Sequence, residues 1–282
     1  MSDTGTAPEL SEQAPEFMRS LLGATALAAA GANVIMELAQ LPVGHGVALS
    51  KVDSGRADLH PVKRGRTTLS YIMIAMFGTD HERAVMREEI NGQHRQVRSE
   101  SGAPVRYNAL DRDLQLWVAA CLYVGMDDVA EMMYGPLPPG AKDRLYRECS
   151  RLATTLQVPA DMWPADRAAF EEYWNEGLKK VEFDETTRGY LYDQIASMGI
   201  LPSPLDRLVG PLHRLITAGF LRPPFRDGMG LTWNRRRAFA FRALMGTVAR
   251  TSRFLPRPAR EFPWNLCLWD ARRRIRRGTP FV

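Results

Sequence analysis

The residue whose position most invites chemistry is His94. Thr79 followed three residues later by Glu82 is the pattern in which a hydroxyl and a carboxylate cap a helix start, and Gly78 suits the end of a preceding helix. A helix is therefore expected from about Asp80. Along it Met86, Ile90, His94 and Val97 fall at steps of four, four and three, which puts the imidazole on the apolar stripe that faces a core. Such an imidazole is either a core histidine bonded to a backbone carbonyl or a ligand to a group packed between helices. On the preceding helix Arg64, Thr68 and Tyr71 share one face amid Leu69, Ile72, Met73 and Met76. A guanidinium and a hydroxyl there suit a pocket for an anionic or oxygen-bearing ligand, the alternative being a helix start with Arg64 in solvent. Spacing alone leaves both open.

The elements that must position these residues can be read from the same kinds of signal. Residues 61–124 form three consecutive helices, with Pro61 in the first turn of one and Asp111 capping another whose buried stripe is Leu114, Trp117, Val118, Cys121 and Leu122. Residues 17–41 are the most apolar, yet Arg19, Asn33 and Glu37 interrupt them and Ala and Gly dominate their middle. They read as one or two buried helices and not as a membrane span. Pro42, Gly44 and Gly46 break the chain around His45, which either lines the interior with His94 or touches solvent from a loop; His60 and His81 sit at helix starts. Further helices follow Pro139, Pro164 and Asp184, His213 lies in an amphipathic one, and the last long helix spans about residues 235–254.

Alternation of period two is missing, so the expected fold is all-α: a single irregular multi-helix domain, globin-like in packing style. Residues 1–15 read as a disordered tail, 16–260 as the domain, and 261–282 as a basic, Trp-containing tail that packs on the domain or on a surface. The chain has 282 residues, enough for a sizeable core. Cys121, Cys149 and Cys267 are far apart and odd in number, which argues against a disulfide framework or a structural zinc site and for a reducing, cytoplasmic setting. A net charge of +5 is concentrated late, at 235–237 and 272–277. Those arginines follow Trp264 and Trp269, a pattern that favours packing on the domain or peripheral contact with an anionic membrane over binding of nucleic acid.

Several common chemistries are absent. The sequence has no phosphate-binding Walker loop, no HExxH and no GxSxG, and none of its five histidines has a glutamate three positions before it, which removes the carboxylate-bridged di-iron bundle. One inward histidine with polar neighbours is closer to haem ligation than to a multi-ligand metal site.

The order of short motifs is Arg64-x-x-x-Thr68, Phe77-Gly78, His94-x-x-Val97, Tyr107-x-Ala109, Asp111 with Trp117-Val118, Gly135-Pro136-Leu137 and Tyr146-x-Glu148. With Leu221-x-Pro223 and Leu255-Pro256-Arg257-Pro258, it resembles the MpaB-like oxygenases, the family that includes the rubber-cleaving latex-clearing proteins. The likeness spans about residues 38–260. It implies an all-helical fold holding a b-type haem through one histidine, which the match places at His94, with Arg64 and Thr68 on the distal side. Tyr71, Arg98 and Trp117 are the further residues expected beside the haem, and Arg87, Arg95 and Arg98 the candidate partners of its propionates. The lysine that caps the iron in some members corresponds to Thr67. The glutamate proposed there as a catalytic base has no counterpart near residues 47–51, which leaves Lys51 and His45 as candidate replacements. The implied function is a haem-b-dependent oxygenase acting with dioxygen on a hydrophobic, unsaturated substrate of the isoprenoid or lipid kind. The missing glutamate motivates the alternative, a non-catalytic haem- or lipid-binding helical protein.

Overall fold

A 3₁₀ helix, Ala24–Ala29, runs into Ala30–Leu38 (α1), and the stretch Thr25–Leu38 meets Leu41–Ala48 (α2) at a bend of 111°. Gln40 is extended and Pro42 occupies the first turn of α2, so the proline ends one helix and starts the next. The computed structural model describes residues 18–281 apart from Ser20, Leu22 and residues 53–55, and the tail expected at residues 1–15 lies outside them. No strand occurs among the described residues, in agreement with the all-α expectation. None of the described helices is, by itself, long and apolar enough to cross a membrane.

Next come Pro61–Phe77 (α3) and Asp80–His94 (α4). Thr79 and Glu82 exchange backbone-to-side-chain bonds of 3.2 and 2.9 Å at the start of α4, the reciprocal cap that their spacing predicts. Asp111 accepts from the amides of Asp113 and Leu114 and so starts the long Arg112–Tyr134 (α5). The remaining helices are Pro139–Thr154 (α6), Arg167–Leu178 (α7), Glu185–Tyr190 (α8, running on through a wide π turn to Ala196), Leu205–Phe220 (α9), Pro223–Gly228 (α10), Arg235–Ser252 (α11), Arg257–Arg260 (α12) and Trp264–Arg277 (α13).

Helix α5 is the centre of the packing, with α1, α6 and α11 against it, while α3 lies against α6 and α13. Trp117 of α5 stacks on Trp174 of α7 with ring centroids 5.0 Å apart. Gly177 makes room for that indole, since a Cβ there would stand 2.5 Å from its ring. The three cysteines are buried and free.

One expectation about elements needs correction, and another gains a helix that was not foreseen. Helix α4 stops at His94, so Val97 does not continue its stripe; the chain turns, and the Val97 carbonyl accepts from the Ala109 amide at 2.9 Å. The helix that starts at Arg235 ends at Ser252, and residues 264–277, which carry too few apolar residues to look like a core helix, fold as α13. Its Trp264, Cys267, Leu268 and Ala271 are buried, and Arg272 reaches Glu82 at 3.1 Å and the Phe77 carbonyl at 2.9 Å.

Candidate active site

The site is built from α1, α3 and the end of α4. Asn33 and Glu37 are four residues apart on α1, and Asn33 Nδ2 donates to Glu37 Oε1 at 3.0 Å. Gly125 of α5 gives Asn33 its place, because a Cβ there would come within 2.1 Å of Asn33 Oδ1. The last carbonyls of a helix lack intrahelical partners. Here Trp117 Nε1 serves those of Met36 and Glu37, at 3.2 Å each, and pins the end of α1 that carries the carboxylate. Arg64 stands in the first turn of α3 and is exposed, the outcome expected of a helix-start arginine, while Thr68 one turn on, Glu37 and His94 are half-buried.

Arg64 acts electrostatically on both Glu37 and His94. Burial pushes the Glu37 carboxyl up to about 7, against the opposing effects of Arg64 and of the Asn33 hydrogen bond. Burial, with help from the Arg64 charge, pushes His94 down to about 4. The imidazole is therefore neutral at physiological pH. Its Nδ1 is sealed from solvent and no described residue forms a hydrogen bond with it, while Arg64 projects charge onto both the imidazole and the carboxyl. Cys121 lies near enough to Glu37 to feel it, although burial dominates the upward shift of the thiol.

A chain of amides holds the last turn of α4. Asn91 accepts from Gln157, which in turn accepts from Gln115 at 2.7 Å, and Gln115 also donates to the Ala109 carbonyl at 2.8 Å. This ties His94 to α5 and to the turn that brings Tyr107 and Val97 beside Gly46 of α2. Helix α2 is clamped from the other side: His45 Nε2 meets Asp184 Oδ2 at 2.5 Å, and Asp184 caps α8 through the Thr187 amide at 2.8 Å. Burial alone would raise the Asp184 carboxyl, but the bonds from Thr187 and His45 prevail and hold it at about 2.

Several expected site residues are employed elsewhere. Tyr71 is buried and its hydroxyl donates to the Leu152 carbonyl on α6, so it serves helix packing. Trp117 supports the site from behind through the carbonyls of Met36 and Glu37. Arg87 caps the end of α6 by donating to the carbonyls of Thr154 and Thr155, and Arg95 pairs with Glu88. Arg98 is exposed, and no described residue pairs with its side chain. Lys51 pairs with Glu100 at the surface, away from the role of distal replacement, and His45 is a buried helical residue and not a loop one. The residue of this candidate site that sequence reasoning passed over is Glu37. Its signal was a carboxylate inside an apolar helix, one turn after an asparagine.

Among the described residues no group of three or more His, Cys, Asp or Glu side chains is placed to hold a metal ion. The protein is thus a helical one in which a neutral histidine, unbonded by any described residue, and a high-pKa carboxyl both lie within the field of one arginine. Its residues 19–250 match the family described as ER-bound oxygenase mpaB/B'/rubber oxygenase, catalytic domain, and the chain belongs to that family of oxygenase catalytic domains. It is similar to two uncharacterized proteins, Mb2261 of Mycobacterium bovis and Rv2237 of Mycobacterium tuberculosis. Each is 46% identical over 251 residues, covering 89% of this chain and 98% of the relative. No solved structure matches the chain.

Proposed function

We propose that this protein is a haem-b-dependent oxygenase that acts with dioxygen on a hydrophobic, unsaturated substrate of the isoprenoid or lipid class, with His94 as the proximal iron ligand. The observation that carries this reading is the sealed and unbonded Nδ1 of a neutral imidazole. A buried polar atom without a partner costs about 1–3 kcal/mol, and a ligand bound against His94 would relieve it. The donor set fits a haem, which brings four nitrogens of its own and needs one from the protein. A bare metal ion would need the cluster of side chains that the described residues do not assemble.

When bound, the haem would supply the iron at which dioxygen is activated. His94 would hold that group in place, and Arg98 would be the cation for a propionate. Arg64 and Thr68 would bind oxygen-bearing groups by hydrogen bonds, charge-assisted in the case of the arginine. Glu37 would take up or release a proton, since a carboxyl at about 7 is partly ionised at neutral pH, the condition under which a general acid or base works best. It offers the carboxylate that residues 47–51 lack. A cytoplasmic location belongs to the same proposal, the three free cysteines suiting a reducing compartment.

The test is the absorption spectrum of the purified protein, with iron and haem quantified. A Soret band is expected, and His94→Ala should remove or shift it; an unchanged spectrum in that variant would exclude His94 as ligand. Oxygen uptake with an unsaturated lipid then separates turnover from haem or lipid binding alone. Glu37→Gln should slow that uptake by about 100-fold or more while the Soret band stays.

A further inference from the structure

We infer that the outward face of α13 is a docking surface for an anionic phospholipid bilayer. Trp264, Cys267, Leu268 and Ala271 turn inward against α3. At 3.6 residues per turn the opposite side of the helix carries Leu266, Trp269, Arg273, Arg276 and Arg277, and Phe262 stands just before its start. Burying the three apolar side chains elsewhere in the chain would stabilise it, yet Phe262, Leu266 and Trp269 are 55%, 50% and 54% exposed. Arg276 and Arg277 form no ion pair with a described residue, and the Arg273 guanidinium lies 5.4 Å from the centroid of the Trp269 ring. Asp270, at the edge of this face, is neutralised by Arg274 at 2.7 Å. The result is a stripe with apolar side chains at one end, cations at the other and, among the described residues, no unpaired acid, the charge complement of a negatively charged lipid surface.

A crevice of about 270 Å³ adjoins the stripe and points to lipid over a polyanion such as nucleic acid. Met73, Phe77 and Leu268 line it together with Arg19 and Arg276, while Arg272 on its wall is paired with Glu82 and Glu261 is neutralised by Arg257, so it joins apolar walls to two cations as an acidic amphiphile requires. Trp269 belongs to both crevice and stripe, and indoles favour the boundary between headgroups and acyl chains. Helix α13 also lies beyond residues 19–250, outside the part of the chain that matches the catalytic domain. The surface therefore adds a device to that domain: it places an enzyme for hydrophobic substrates where such substrates dissolve.

Sedimentation of the full-length protein with vesicles tests this. Vesicles of phosphatidylcholine with phosphatidylglycerol should carry the protein down, vesicles of phosphatidylcholine alone far less, and added salt should weaken the binding. Each basic residue near an anionic surface contributes about fivefold, so combining Arg273→Glu, Arg276→Glu and Arg277→Glu should lower partitioning by about 100-fold or more. Leu266→Ser with Trp269→Ser should lower it too, whereas Arg235→Glu with Arg236→Glu, exposed on α11, should leave it within about twofold. Circular dichroism establishes that each variant is folded, and the salt and lipid dependence of the unaltered chain tests the idea without any variant. Absence of binding to the anionic vesicles, equal binding to both lipid mixtures, or folded α13 variants that bind like the original would overturn the proposal. Full displacement from vesicles by short duplex DNA would also overturn it, in favour of a polyanion site.

Discussion

Replacing Glu37 by glutamine should expose a pH dependence of stability that the unaltered protein hides. The Glu37 carboxyl has an ordinary value of 4.5 and about 7 in the folded chain, so folding holds a proton there that the unfolded chain releases. The stabilisation is complete below 4.5 and is lost as pH rises toward 7. At about 1.4 kcal/mol per pH unit the loss is about 3 kcal/mol. His94 runs the other way. Its value falls from 6.5 to about 4 on folding, so its contribution is complete above 6.5 and is lost as pH falls toward 4, again by about 3 kcal/mol. Between 4.5 and 6.5 the two slopes oppose each other. Glutamine keeps an oxygen for Asn33 and removes one of the two titrations, which leaves that of His94 unopposed. Urea unfolding of the cofactor-free protein, followed by circular dichroism at about pH 5 and about pH 8, measures the difference. Relative to the original, Glu37→Gln should gain about 3 kcal/mol between the two pH values. Groups common to both proteins, such as Asp184, cancel in that comparison. Parallel pH dependences would mean that Glu37 is solvated and ionised throughout, and the account of a desolvated, proton-holding carboxyl would fail.

Gly125→Ala should cost about 1–3 kcal/mol by driving a methyl into Asn33, and Asn33→Ala in the same chain should restore part of it; thermal melts showing no recovery would locate the strain elsewhere. The bond between His45 and Asp184 should couple by about 1.5–3 kcal/mol in a double-mutant cycle of the two alanine variants, and strict additivity of their unfolding energies would show that the pair contributes nothing jointly. Gln157→Leu cuts the amide chain behind His94, and haem titration should show affinity reduced by about 10–100-fold, as expected for a residue that orients a ligand; unchanged affinity would remove the amide chain from the site.

Whatever depends on near neighbours along the chain could be read directly. The cap of Thr79 and Glu82, the cap of Asp111, and the helices that carry Arg64, Thr68 and His94 follow from spacings of three and four and from the placement of proline and glycine. So does the all-helical class, because hydrophobic periodicity is a local property of the backbone. The failures are equally physical. Periodicity extended α4 to Val97, where tertiary bonds from the turn after His94 take over. It also missed α13, whose outward arginines and short apolar stripe look like a tail until α3 supplies the surface that buries Trp264 and Leu268.

The composition of the site was decided only when distant segments met. Glu37 and Arg64 come from separate helices, His45 finds Asp184 across 139 residues, and Asn91 finds Gln157 across 66. None of these pairs has a spacing rule, because loop closure lets any two segments meet that the packing of α1, α3 and α5 happens to juxtapose. Residue type likewise fixes only a starting pKa. Burial among neighbours drawn from the whole chain turns Glu37 into a group poised near 7 and His94 into a neutral imidazole with a free nitrogen, since desolvation is a property of the enclosing fold and not of the side chain it encloses.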